Sequence, residues 1–247
     1  MIGHHDREFS MRTIGLIGGM SFESTAVYYK TINEAVRARL GGLHSAEILL
    51  RSVDFQTIVD LQKAGRWDAA ADRLGKAARG LERAGADCLL ICTNTMHLVA
   101  DEVAATVRVP LINIIDETAK AIVAAGARRP LLLATRYTME EGFYARRMAA
   151  HGLALTTPGE VGRAIVHDVI FDELCAGTVR DASRAAFLTL IEKAKDDGCD
   201  AVILGCTEIC LLLDPAALPL PGFDSTAIHV AAAIDFALGD ETKAAAE

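Results

Sequence analysis

Ala84-Gly85-Ala86-Asp87-Cys88-Leu89-Leu90-Ile91-Cys92-Thr93-Asn94-Thr95 returns, 113 residues further along, as Asp197-Gly198-Cys199-Asp200-Ala201-Val202-Ile203-Leu204-Gly205-Cys206-Thr207-Glu208. Each copy passes from a Gly turn through an apolar run to a polar tip, the pattern of a buried parallel strand. Two further pairs keep the same order. Ile17-Gly18-Gly19 matches Leu133-Ala134-Thr135 at an offset of 116, and Asp116-Glu117-Thr118-Ala119 matches Asp224-Ser225-Thr226-Ala227 at an offset of 108. One short repeat in an Ala- and Leu-rich chain means little, but three in the same order indicate two similar half-domains.

Apolar runs alternate with longer helical patterns in both halves. This predicts an α/β protein of two pseudo-symmetric half-domains, each a mainly parallel sheet covered by helices on both faces. Strands are expected at 13–17, 47–52, 88–91 and 111–112, and again at 131–133, 153–156 and 201–204. Helices are expected at 24–39, 67–84, 117–125, 139–150, 180–197 and 226–238, with Asp116, Asp181 and Asp224 at N-cap or first-turn positions. Ligands of open α/β sheets bind beyond the carboxyl ends of the strands. The active site is therefore expected in the cleft between the half-domains, where the two polar tips face each other.

Composition removes several classes of function. The net charge is −8 and no basic run appears, which argues against a nucleic-acid partner. No apolar stretch approaches the roughly 20 residues that span a bilayer, so no membrane partner is expected. Residues 1–10 are polar, lack the layout of a secretory signal and are expected to be a disordered extension before Met11; a cytoplasmic location follows. The six cysteines show neither CxxC nor the Cys/His spacing of a zinc site, so no metal is expected and the thiols should be reduced. Cys88, Cys175, Cys199 and Cys210 lie in apolar runs and read as core; Cys206, between Gly205 and Thr207-Glu208, marks a strand end.

Ile14-Gly15-Leu16-Ile17-Gly18-Gly19-Met20-Ser21 invites a dinucleotide reading, but Gly15 lies inside the strand and the following helix lacks a third Gly. No nucleotide cofactor is expected. Gly18-Gly19-Met20-Ser21 reads either as a turn whose N–H groups line a small anion's pocket or as a plain tight turn.

Gly18-Gly19-Met20-Ser21-Phe22-Glu23-Ser24-Thr25, Cys92-Thr93-Asn94-Thr95-Met96-His97 and Gly205-Cys206-Thr207-Glu208-Ile209 together resemble the cofactor-independent aspartate/glutamate racemases, over about 11–239. The resemblance implies an isomerase with one acid/base group from each half flanking the substrate Cα, no pyridoxal phosphate or other cofactor, and a homodimer. It also implies that the C-terminal segment returns to complete the first half-domain, giving 11–116 with 225–240 as one half and 117–224 as the other. The expected reaction is conversion of L-aspartate or L-glutamate, a small-molecule amino-acid partner, to the D-form.

The family's first motif reads Cys-Asn-Thr, and its cysteine falls on Thr93 here. The internal repeat agrees, since it sets Thr93 opposite Cys206 and Cys92 opposite Gly205. Side chains alternate along a strand, so Thr93 and Cys92 cannot both face the substrate, and Thr93 is the expected one. The Thr93/Cys206 pair resembles a variant branch associated with broad or L-selective aspartate/glutamate racemisation. A cysteine whose pKa is lowered by nearby donors suits the base that attacks the L-enantiomer, which the resemblance assigns to Cys206. A threonine hydroxyl can relay a proton that water replenishes. Asn94, Thr95 and Thr207 are the expected donors to the substrate carboxylate, while by family position Glu208, near the ammonium, Met20 and Gln62 border the substrate. His97 is expected to cap the helix it opens or to orient Asn94.

A side-chain carboxylate needs a cation, for which spacing leaves Arg51, Arg136 and His167 open. Aspartate-specific relatives carry a basic residue near Ile170-Phe171-Asp172-Glu173-Leu174, where this chain is acidic. Rival readings are another reaction of the same superfamily (hydantoin racemase, decarboxylase or isomerase), a catalytically weak amino-acid-binding protein, and a metal or redox site of Cys88, Cys92 and Cys206.

Overall fold

The structure, a computed structural model, describes residues 11–239. The expected N-terminal extension, 1–10, and residue 240 of the expected first half-domain lie outside the described residues.

Two three-stranded parallel sheets share one plan. β1 (Ile14–Gly18), β2 (Ile48–Ser52) and β3 (Cys88–Ile91) take the order β2-β1-β3; β4 (Pro130–Leu133), β5 (Ala201–Leu204) and β6 (Gly222–Asp224) take the order β4-β5-β6. Ile14 pairs with Cys88 and Ile17 with Ile91 in the first sheet, while Pro130 pairs with Ala201 and Leu133 with Leu204 in the second. These are the residues that the internal repeat equates, so the duplication extends to strand register. Isolated bridges complete the match: Leu89 to Leu111 where β6 stands in the other sheet, and Leu131 to Thr156 where β2 stands. The expected strands at 111–112 and 153–156 shrink to those bridges, the first of them just after Pro110, which donates no ladder hydrogen bond.

The helices are α1 (Phe22–Leu40), α2 (Phe55–Lys63), α3 (Trp67–Arg83), α4 (Ala100–Ala104), α5 (Ile114–Ala124), α6 (Arg136–Glu140), α7 (Phe143–Ala150), α8 (Glu160–Asp168), α9 (Asp181–Asp196), α10 (Ile209–Leu212) and α11 (Ser225–Leu238). The single helix expected at 139–150 is two, broken at Gly142, whose φ of 73° an L side chain rarely adopts. The helix α2, absent from the sequence reading, starts where Asp54 accepts the Thr57 N–H at 2.9 Å.

Both faces of each sheet are covered. On the first sheet Leu74, Ala78 and Leu81 of α3 pack against Ile17, Leu89 and Ile91. On its other face Tyr28 and Ile32 of α1, with Val230 and Ile234 of α11, pack against Ile14, Leu16 and Leu90. The last helix thus closes the core of the first sheet. In the second sheet Leu132, Ile203 and Leu204 share a core with Tyr144 and Met148 of α7 and Phe187 and Ile191 of α9. Each such fully buried Leu or Ile contributes about 1.5–3 kcal/mol.

Asp224 caps α11, accepting from the N–H groups of Thr226 at 2.8 Å and Ala227 at 3.2 Å. Asp116 does not cap. Asn113 holds that position for α5, and Asp116, in the first turn, accepts from Arg147 Nε at 2.8 Å, Arg147 NH2 at 2.9 Å and His151 Nε2 at 2.9 Å, tying α5 to α7. Burial works to raise the pKa of Asp116, but the Arg147 and His151 hydrogen bonds outweigh it and hold the group below its ordinary value. Asp116→Asn is expected to cost about 2 kcal/mol in urea unfolding, the scale of hydrogen bonds to a partly buried charge. Unchanged stability would show the contact to be idle.

Candidate active site

The polar tips of β1, β3 and β5 meet at one cleft, lined by Met20 and Ser21, by Thr93, Asn94 and Thr95, and by Gly205, Cys206, Thr207 and Glu208. The cavity is about 70 Å³.

Thr93 and Cys92 point to opposite sides of the strand end. The Cys92 N–H donates to Ile17 O at 3.0 Å, continuing the ladder past Ile91, and its side chain is fully buried in the core with Leu16, Tyr28 and Val230. Burial pushes that thiol far above its ordinary range. Thr93 is half-buried and lines the cleft.

Two neutral histidines pack together behind the strand end, and His97 holds the Thr93 carbonyl. His97 Nδ1 donates to Thr93 O at 2.9 Å, and its Nε2 accepts from the Ile114 N–H at 3.2 Å. His97 therefore caps α5, not the turn (Thr95–Val99) on which it sits. His229 Nε2 donates to Ile112 O at 2.8 Å, and its Nδ1 accepts from the Tyr28 hydroxyl at 2.8 Å. The two rings meet edge to face at 5.7 Å. Burial, reinforced by His229, pushes His97 down to about 3, and burial pushes His229 down to about 4.

Cys206 Sγ donates to Glu208 Oε2 at 2.9 Å, and Thr207 Oγ1 donates to the same oxygen at 2.7 Å. Ser21 Oγ reaches the other carboxylate oxygen at 3.4 Å from across the cleft. Burial and then the charge of Glu208 push the Cys206 thiol well above its ordinary value. The sequence reading expected neighbouring donors to lower it; the nearest group is instead a carboxylate, so Cys206 is a thiol in this state.

The expected carboxylate donors all have protein partners. Asn94 Nδ2 donates to Ser225 Oγ at 3.1 Å, and Ser225 Oγ to Leu204 O at 3.0 Å, which links the tips of β3 and β5 through the start of α11. The Asn94 Oδ1 is buried without a partner among the described residues, leaving that amide with unused capacity at the cleft. Thr95 Oγ1 shares hydrogen bonds with Thr135 at 3.1 Å and Thr138 at 2.9 Å. Gln62 lines the cleft but gives Nε2 to Met96 Sδ at 3.2 Å.

Gly19, at φ 90°, has no room for a Cβ, which would lie 2.2 Å from Val53 O. Its N–H donates to Thr25 Oγ1 at 2.8 Å, so this donor of the glycine turn is spent within the protein. Arg51 lies on a separate groove between β2 and α3; the Arg136 N–H donates to His167 Nδ1 at 3.3 Å, and none of these three cation candidates lines the cleft. Cys88 and Cys92 are in the core while Cys206 lines the cleft, so the three-thiol site does not assemble.

Sequence reasoning missed Tyr28, Thr135, Tyr137, Phe171, Cys175 and Thr226, all of which line the cleft. Thr135 carried a signal, since the repeat sets it opposite Gly19. So did Thr226 and Tyr28, which the repeat sets opposite Thr118 and Tyr144. Cys175, read as core, is instead exposed and lines the cleft.

The profile of the Asp/Glu/Hydantoin racemase family matches residues 17–233. The chain belongs to this family. An Asp/Glu racemase-type structure from Yersinia pestis, so assigned in its description, is similar to it with TM-score 0.88 and 48% identity over 93% of this chain and 100% of that one. An aspartate racemase homologue from Pyrococcus horikoshii OT3 follows at 0.83 and 33%, again over 93% and 100%. Among curated proteins the chain resembles the broad specificity amino-acid racemase RacX of Bacillus subtilis (strain 168), at 24% identity over 147 residues. That match spans 60% of this chain and 63% of the relative, less than two thirds of its length. The Asp/Glu/hydantoin racemase family is a family of isomerases, and the two structural matches run across both sheets.

Proposed function

We propose that this chain racemises a free α-amino acid without a cofactor, by proton transfer at opposite faces of Cα between Thr93 of one half-domain (11–116 with 225–240) and Cys206 of the other (117–224). The observation that carries this reading is that Thr93 and Cys206 follow equivalent strands of a duplicated sheet and line the same cleft.

Cys206 must first lose its proton to solvent water. Glu208 opposes this, and a substrate ammonium beside Glu208 cancels that charge, so the substrate helps to ionise its own base. The thiolate then takes the α-proton from the L-enantiomer, the C–H electron pair passes into the α-carboxylate, and Thr93 delivers a proton to the opposite face that it recovers from water. Asn94, Thr95 and Thr207 stabilise the carboxylate by exchanging their protein partners for it; Met20 and Gln62 border the bound molecule. Enantiomers are isoenergetic in water, so kcat/KM is equal in the two directions. Any asymmetry resides in kcat and KM separately. The family name makes aspartate and glutamate the first substrates to test.

Thr93→Ala is expected to lower inversion by about 10²-fold, a general-acid contribution, and α-proton exchange from the L-form by much less. Cys92→Ala is expected to stay within twofold of wild type. Proton NMR in deuterated buffer with parallel chiral chromatography reads both quantities. A dead Cys92→Ala beside an active Thr93→Ala would reverse the roles.

A further inference from the structure

The groove that Arg51 lines runs between the edge strand β2 and α3, and it shares no lining residue with the cleft. Four cations line it, Arg51 from β2 and Arg73, Lys76 and Arg83 from α3, against one carboxylate, Asp54. Asp54 is committed to Thr57, whose N–H and hydroxyl it accepts at 2.9 and 2.6 Å. Lys76 pairs with Asp72 at 2.7 Å. Arg51, Arg73 and Arg83 have no side-chain hydrogen bond or ion pair among the described residues, and the Arg73 Nε is buried without a partner. A chain of net charge −8 thus gathers three uncommitted guanidinium groups around one groove.

The fold does not require this charge. The helix α9 is the counterpart of α3 in the repeat, and the offset of 113 sets Ala186, Thr189 and Asp196 opposite Arg73, Lys76 and Arg83. The equivalent groove beside α9 is lined by one cation, Lys193, and two carboxylates, Glu160 and Asp197. The first groove is also kept open. Ala77, Gly80 and Ala84 follow one another along α3 at helical spacing, and a Cβ on Gly80 would meet nothing within 4 Å. Guanidinium forks match phosphate oxygens two at a time, and such charge-assisted pairs are the strong ones. We propose that this groove binds a small polyanion with two linked phosphate groups, held by Arg51, Arg73 and Arg83. The site stands apart from the racemase reading, and its test measures binding rather than turnover.

Titration calorimetry of the full chain with inorganic diphosphate, ADP and sulfate at low ionic strength reads the site. One diphosphate per chain is expected, bound at least about tenfold more tightly than sulfate and weakened by added salt. ADP binding more tightly than diphosphate assigns the groove to a nucleotide, with the half-exposed Leu50 offering its base an apolar surface; equal affinity assigns it to the diphosphate group alone. Arg83→Ala is expected to weaken diphosphate binding by about tenfold, the scale of one hydrogen-bonded charge pair. Gly80→Glu sets a carboxylate in the open space and is expected to abolish binding. That variant should melt at or above the wild-type temperature, because glutamate is the better helix former. No binding, sulfate held as tightly as diphosphate, displacement of diphosphate by L-aspartate, or undiminished binding in folded Gly80→Glu each overturns the site.

Discussion

Cys206→Ala is expected to lower α-proton exchange from L-amino acids by about 10³-fold, within the range that a positioned acid or base supplies. Alanine removes the atom that receives the proton and leaves the cleft otherwise closed. Glu208 keeps the Thr207 and Ser21 hydrogen bonds, so its position should persist. Cys206→Ser distinguishes loss of the base from loss of the contact. A serine hydroxyl still donates to Glu208 but ionises far less readily than a thiol, so the serine variant is expected to be nearly as slow while its melting temperature stays close to wild type. Exchange within tenfold of wild type in the alanine variant would place the base elsewhere.

A steep loss of stability is expected between pH 6.5 and about 4.5. His97 and His229 are buried and neutral, with folded pKa values of about 3 and about 4, below the roughly 6.5 of a histidine in the unfolded chain. Below pH 6.5 the unfolded chain therefore binds more protons than the folded one. Their full contribution is present above pH 6.5 and falls as the pH drops toward the folded values, by up to about 1.4 kcal/mol per pH unit for each histidine. Over two units the pair removes at most about 5 kcal/mol, a large share of a typical folding free energy. Protonated His97 also cannot accept from the Ile114 N–H, so the turn that carries Thr93 should loosen with it. Urea unfolding at pH 7.0, 5.5 and 4.5 measures the slope. His229→Gln, which cannot charge, is expected to flatten it; an equal slope in the variant would mean that His229 does not remain neutral in the fold.

The repeat made the centre of the fold legible. A strand buried on both faces must be a continuous apolar run, so 88–91 and 201–204 stand out as β3 and β5 with their observed bounds, and their equivalence fixes which residues end at the cleft. The alternation of side chains separated Thr93 from Cys92 for the same reason. Elements held mainly by tertiary contact were not legible. The strand β6 is short and carries one large apolar residue, Phe223, so it was missed, while the strands expected at 111–112 and 153–156 were located but shrink to single bridges. Chain spacing also gave no warning that Glu208 folds back onto Cys206, because that contact depends on the turn after β5 rather than on strand geometry.

Solvent isotope at Cα tests the two-group mechanism most directly. The L-enantiomer of a turned-over amino acid is incubated briefly in deuterated buffer, and the D-product and the remaining L-substrate are separated by chiral chromatography and weighed by mass spectrometry. Proton removal on one face by Cys206 and delivery on the other through Thr93 predicts a D-product that carries one deuterium, while recovered L-substrate at low conversion stays largely protiated. A D-product that retains the original α-proton would mean that one group serves both faces, and would contradict the opposed pair.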